Sequence, residues 1–281
     1  SNSFCTLLAR RRPVAGADTM SDAPSKRERP EAAAVESCAM TAAAPTAVAP
    51  VETFRKNVMV AVINQRHEML LFQRNDREGL QCIQGGVEDD EDIVDAAMRE
   101  AYEEAGIVCD GFDYLECERM AVPKYGKRGP RFEAELAANP IPTVTVDYPL
   151  TVVGELPIPA ADGPLRYRFP PGACKAWVAR GIVGQEQRCL VLATSDGDAL
   201  RARVDLSGKA LQPREFIDCV WFPVSDLARL VDAVPPAKRE VFRRVGTILG
   251  EVLRPEAIAS GNDHVARFSR KLHNALKALP S

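Results

Sequence analysis

The chain of 281 residues carries 36 Lys+Arg against 39 Asp+Glu, a formal net charge of −3, with 46% hydrophobic and 27% charged residues. That is the composition of an ordinary globular protein with a real core, and it excludes wholesale coating of nucleic acid by bulk charge. No apolar run approaches the roughly 18 residues of a membrane span. Eight cysteines without a C-x-x-C pair read as free thiols. Three histidines leave little material for a zinc site or a Ser-His triad, so any metal must be held by oxygen.

Residues 1–50 are crowded with Ala, Ser and Pro and lack a periodic apolar pattern, so they read as a low-complexity tail. Three arginines, Arg10 to Arg12, precede the first acid, Asp18. This composition fits a mitochondrial transit peptide, or equally an arbitrary basic tail on a cytoplasmic protein. Val58–Asn64 reads as a buried strand and Met69–Arg74 as its hairpin partner. Gly85-Gly86 marks a loop before a helix over Ile93–Ala105, with Gly106 placed as its C-terminal cap.

Residues 120–164 hold eight prolines and read as a long insertion with at most one or two short strands. Strand-like sequence returns at Ala176–Ala179, Cys189–Ala193 and Phe216–Val224, followed by a helix over Lys238–Leu253. Val265, Phe268, Leu272 and Leu276 recur at helical spacing, with Arg267, Arg270, Lys271 and Lys277 opposite. Such a basic amphipathic helix (256–281) packs on its own domain or docks a partner.

The stretch from Gly85 to Ile107 carries the chemistry. Glu100, Glu103 and Glu104 stand at i, i+3 and i+4, so their carboxylates share a helix face. Like charges there repel unless a cation sits among them, and a hard Mg²⁺ or Mn²⁺ would relieve that repulsion. The plainer alternative is a solvated acidic face. Residues 85–110 hold ten acids and one base, a charge of −9, which leaves +6 for the remainder.

Gly85, five residues, Glu91, seven residues, Arg99-Glu100, two residues, Glu103-Glu104, one residue, Gly106 and Ile107: this spacing resembles the complete signature of the Nudix hydrolases. The resemblance implies an α/β/α sandwich with a mixed central sheet over 51–255, and hydrolysis of a nucleoside diphosphate linked to another group. It also implies Glu100, Glu103 and Glu104 as metal ligands helped by the Gly85 carbonyl, and a structural pair of Glu91 with Arg99.

Flanking segments are similar to bacterial RNA pyrophosphohydrolases and asymmetric diadenosine tetraphosphate hydrolases. They are Phe54–Val58, Gln81–Gly86, Leu165–Pro170, Lys175–Trp177, Glu215-Phe216 with Trp221, and Lys238–Val245. From this likeness Glu215 is implied as a distant metal ligand or general base, and Arg55, Arg74 and Lys238 as phosphate or 5′-nucleotide contacts. Tyr167 and Lys175 are weaker candidates for the same cleft. For each basic residue, a solvated surface position is the alternative.

Two departures stand out: Ile83 replaces a proline, and Ala237 replaces an aromatic that would stack on a base. A basic cluster in the insertion, Lys124, Tyr125, Lys127, Arg128 and Arg131, could supply that contact or be a solvated loop. The expected activity is removal of pyrophosphate from the 5′-triphosphate end of RNA with Mg²⁺ or Mn²⁺. A dinucleoside polyphosphate hydrolase is one alternative. An RNA-binding, stabilising subunit of an RNA-processing complex is another, with protein partners on the tail, insertion or C-terminal helix.

Overall fold

A computed structural model of the protein describes residues 52–277 except 77–78, 116, 119–143, 145 and 211. The tail and the basic cluster of the insertion therefore lie outside the described residues.

Strand β1 (Thr53–Asn64) is the centre of the molecule, and eight of its twelve residues, Asn57 to Asn64, are buried. Residues Val58, Val60 and Val62 pack in one hydrophobic cluster, and Met59, Ala61 and Ile63 in another, so the strand is covered on both faces. A run without polar alternation is what a doubly covered strand requires. Around it lie β2 (Glu68–Arg74), β3 (Leu80–Gln81), β4 (Ile83–Gly86), β5 (Thr151–Glu155), β6 (Leu165–Arg168), β7 (Ile182–Thr194) and β8 (Phe216–Pro223). The sheet runs β3-β2-β1-β7-β5, with β4 paired to β1, β6 to β7 and β8 to β2. Among the described strands only β1 and β7 pair in parallel, from Thr53↔Ile182 to Asn64↔Thr194, which makes the sheet mixed.

One face carries helix α1 (Ile93–Ala105), whose Ala97, Ala101 and Ala105 pack on Val58, Val60 and Leu190 in one cluster. Two short helices follow it, α2 (Lys175–Val178) and α3 (Gly197–Arg203), and then the long α4 (Arg239–Val252) and α5 (Asp263–Leu276). The long pair covers the other face: Phe242, Leu249, Phe268, Leu272 and Leu276 share a cluster with Met59, Met69 and Cys189. The result is an α/β/α sandwich with a mixed sheet.

Two elements differ from the sequence reading. Ala176–Ala179 is not a strand: Lys175–Val178 is a single helical turn, closed by Val178 N–H to Cys174 O at 3.0 Å and Ala179 N–H to Lys175 O at 2.9 Å. These residues are mostly exposed and no described strand pairs with them, so local bonds decide their shape. Gly85-Gly86, expected as a loop, instead end strand β4, paired with Val58 and Asn57 of β1. Within 120–164, β5 is one of the one or two short strands expected there, and its Val153 and the following Leu156 are buried in the core.

Strands β1, β2, β7 and β8 and helices α1, α4 and α5 overlap the segments where they are expected, while β3, β6 and α3 have no counterpart among the expected elements. The apolar stripe of α5 packs on its own domain, with Arg267, Arg270, Lys271 and Lys277 exposed. The six cysteines among the described residues are free thiols. No described helix is long and apolar enough to cross a membrane.

Candidate active site

Helix α1 is delimited by local chemistry. The Asp92 side chain accepts the Val94 N–H at 2.7 Å and caps the N-terminus. Gly106, in the left-handed region at φ 64°, ends it by donating to Tyr102 O at 2.8 Å. Between these stops the face at 100, 103 and 104 turns inward, and the three glutamates are only 8%, 6% and 8% exposed. The solvated acidic face is thereby excluded.

The two glycines at the end of β4 explain themselves by what lies against them. A Cβ at Gly85 would collide with the Glu100 carboxylate, and one at Gly86 with the Arg55 guanidinium. Each glycine leaves room for a functional side chain.

Arg99 ties the loop to the helix. It grips Glu91 in a bidentate pair at 2.7 and 2.9 Å, and donates to Gly86 O at 2.8 Å. It also reaches Glu100 at 2.7 Å and Glu103 at 3.3 Å. Glu104 accepts the Gln84 N–H at 3.1 Å. Across the cleft, Glu215 pairs with Arg74 at 2.8 Å, and its carbonyl accepts the Asn75 N–H at 2.9 Å. Arg74 is also held by Asp76 at 2.5 Å, so it anchors Glu215 to the end of β2.

These groups line a cleft of about 280 Å³ that holds Glu88, Glu100, Glu103, Glu104 and Glu215 against Arg55 and Arg99. Five carboxylates face two guanidinium groups, and the three on α1 are raised, with burial the largest cause. Burial pushes Glu103 up to about 7, with the Glu100 charge adding to it and Arg99 opposing. Burial, then the charges of Glu215 and Glu100, holds Glu104 well above the usual carboxylate range. Glu100 is raised by burial too, partly offset by Arg99. Arg99 is itself raised, because its bond to Glu91 and the charges of Glu100 and Glu103 outweigh its burial.

Among the described residues no three carboxylates converge at metal-liganding distance, since Glu100 and Glu103 turn to Arg99 and Glu104 to a backbone amide. The donor set nevertheless fits a divalent cation: all oxygen, buried, and richer in negative charge than the arginines can neutralise.

A second polar cluster adjoins this one. Lys238, 6% exposed, donates to Gln81 at 3.3 Å and stands 5.6 Å from the Tyr167 ring. The Tyr167 hydroxyl donates to Gln185 at 2.5 Å, and Gln187 donates to Gln185 at 3.3 Å and to Gln84 at 3.5 Å. Asn57 Oδ1, Gln81 Nε2 and Gln187 Oε1 are buried without a hydrogen-bond partner. Orphaned polar atoms of this kind mark a place where a ligand or water completes the network.

Of the residues singled out by sequence, Arg55 joins Gly85, Glu100, Glu103, Glu104 and Glu215 around the glutamate cleft. Tyr167 and Lys238 belong to the adjoining cluster. Lys175 is not brought to the cleft; it is exposed on α2, the turn whose composition favours a strand.

Glu118 escapes the sequence reading. Its carboxylate accepts the Tyr102 hydroxyl at 2.7 Å and the Ala210 N–H at 3.0 Å, bridging α1 to the loop that leads to Glu215. The same loop is pinned by Asp205 N–H to Ala105 O at 2.8 Å and Lys209 N–H to Glu103 O at 3.0 Å. Ala210 there adopts a left-handed φ of 49°, a strained position that these bonds hold. No spacing rule joins positions 118 and 210, so the sequence offers no signal.

Residues 53–159 match the family model described as the NUDIX domain. RNA pyrophosphohydrolases from Pseudomonas putida and Pseudomonas fluorescens are 25% identical over 191 residues, covering 68% of this chain and 88% of theirs. Among solved structures, the dihydroneopterin triphosphate pyrophosphohydrolase of E. coli overlaps 70% of this chain and 99% of its own, at 15% identity and a TM-score of 0.39. An Ap4A hydrolase of C. elegans overlaps 70% and 98%, at 14% identity and a TM-score of 0.38.

Proposed function

We propose that this chain, whose residues 53–159 match the NUDIX domain, is a divalent-metal-dependent pyrophosphohydrolase releasing pyrophosphate from the 5′-triphosphate end of RNA. The observation that carries the reading is the cleft itself, in which five carboxylates outnumber two guanidinium groups around buried Glu100, Glu103 and Glu104. Glu100, Glu103, Glu104, Glu215 and the Gly85 carbonyl would hold Mg²⁺ or Mn²⁺. Such ions, when bound, neutralise phosphate oxygens and lower the pKa of water.

The chain's own residues do the rest. Arg55, at the mouth of the cleft and without a carboxylate partner among the described residues, binds phosphate oxygens. Arg74 holds Glu215 in position, where it ligates metal or takes the proton of the attacking water. Water adds to phosphorus, the phosphoanhydride bond breaks, and pyrophosphate leaves 5′-monophosphate RNA. Lys238 and the glutamine cluster receive the 5′ nucleotide, which satisfies Gln81, Gln187 and Asn57.

The RNA substrate is favoured by the Pseudomonas relatives and by the likeness of Lys238–Val245 to the RNA enzymes. A dinucleoside polyphosphate is the second reading, since Ala237 lacks the ring that would stack on a base. Turnover of 5′-triphosphate RNA and of diadenosine tetraphosphate at equal metal separates the two. A strong preference for RNA supports the proposal, and a strong preference for the dinucleotide overturns it. RNA binding without turnover would favour a stabilising subunit instead.

A further inference from the structure

The glutamate cleft accounts for a triphosphate, but a polynucleotide continues beyond it. Leading away from the cleft, the Arg55 guanidinium rests on Gly86 and lies 4.9 Å from the centre of the Trp177 ring. Arg180 lies 5.0 Å from the same ring. Trp177 is half-buried on α2, next to Val178, which is 50% exposed.

Other arginines of this region are neutralised: Arg166 by Glu186, Arg168 by Glu52 and Arg188 by Glu155. Arg55 and Arg180 have no carboxylate partner among the described residues. An indole bearing two unneutralised guanidinium groups, in continuity with a phosphate site, combines the two elements that hold single-stranded nucleic acid. Aromatic faces stack bases and guanidinium groups take phosphates.

We propose that Trp177 and Arg180 form a track for the single-stranded RNA that follows the 5′-terminal nucleotide, Trp177 stacking a base and Arg180 contacting a phosphate. This rests on the proposed RNA substrate for the cleft. It gives the stacking surface missing at Ala237 a different location. It also gives a use to the exposed turn 175–178, which contributes no buried residue to the core.

The test compares a nucleoside triphosphate with 5′-triphosphorylated trinucleotides and hexanucleotides. The wild-type KM should fall with length. Trp177→Ala should raise KM for the hexanucleotide by roughly 5- to 160-fold, the range for loss of one stacked base, and Arg180→Glu should raise it as well. Trp177→Phe should recover most of the gain, and Arg180→Glu should leave nucleoside triphosphate turnover unchanged. Equal KM values for wild type and both variants at every length would overturn the track.

A binding measurement separates failure of the track from failure of the substrate reading. The chain has two tryptophans, so a Trp221→Phe protein reports on Trp177 alone. Its fluorescence should be quenched by a 5′-monophosphorylated hexanucleotide and not by inorganic tripolyphosphate. That outcome supports the track even if the triphosphate RNA is not turned over. Absence of quenching, or equal quenching by an acidic peptide such as polyglutamate, overturns it, the latter in favour of a protein partner.

Discussion

Helices α1 and α5 are alike in outline and opposite in what they bury. They span 13 and 14 residues, and each is capped at its N-terminus by a side-chain oxygen, from Asp92 and Asn262 respectively. Helix α5 obeys the hydrophobic period: Phe268, Leu272 and Leu276 go into the core, and its arginines and lysines go to water. Helix α1 breaks that rule by burying Glu100, Glu103 and Glu104 beside its alanines. Taking three carboxylates out of water carries a desolvation cost that the one guanidinium shared by Glu100 and Glu103 only partly offsets, a standing cost that α5 does not carry. The difference teaches where function sits: in the helix whose burial pattern folding alone would not choose.

Substitutions in and around the two helices should separate their roles. Gly85→Ala should lower turnover by at least about 10²-fold, the penalty of displacing a reacting group by about an ångström, because the new methyl must evict the Glu100 carboxylate. Circular dichroism should show the fold retained. Unchanged turnover would mean that the position of Glu100 is immaterial.

Leu272→Ala should do the reverse, costing about 2–5 kcal/mol in denaturant unfolding while kcat stays within about twofold. A large loss of kcat at full folding would make α5 more than a packing element.

The acid cluster should also be visible in the pH dependence of stability without metal. The Glu103 carboxyl is raised from 4.5 to about 7 in the folded protein. A raised carboxyl pKa means that the folded state holds the proton more tightly, so this contribution is fully present below pH 4.5 and is lost as pH climbs through 7. Glu100 and Glu104 shift in the same direction. The metal-free Tm should therefore fall between about pH 5 and pH 7.5, and Mg²⁺ at roughly a hundredfold its Kd should restore about 2.7 kcal/mol at the upper end. A metal-free Tm that rises across this window would contradict the burial of the cluster.

The smallest effect belongs to the exposed side of α5. Joint replacement of Arg267, Arg270 and Lys271 by Gln should change stability by no more than about 0.5 kcal/mol. RNA turnover should not move.

Much of this architecture is legible in the sequence where local rules decide it. Asp92 and Gly106 stop α1 where capping chemistry places them, and the apolar runs of β1 and β2 leave no other reading. The spacing from Gly85 to Ile107 brings the acidic face into view before any coordinates. What escapes is decided by partners distant in the chain. Arg74 meets Glu215 across 141 positions, and Glu118 meets Ala210 across 92. The turn at 175–178 looks like a strand because Trp and Val favour strands, but no described strand is there to pair with it. The Pro-rich stretch allows for a short strand but does not place it, because the bounds of β5 depend on pairing with β7 and not on its own composition.

Release of pyrophosphate from 5′-triphosphate RNA, with and without Mg²⁺, by wild type, Glu103→Gln and Glu104→Gln probes the glutamate cleft itself. Metal-dependent catalysis at these carboxylates predicts release by the wild type only with Mg²⁺, and loss of about 10³-fold or more in both variants, equivalent to roughly 4 kcal/mol of transition-state stabilisation, with folding spared. Release that persists without a divalent metal, or that survives both substitutions, would contradict it.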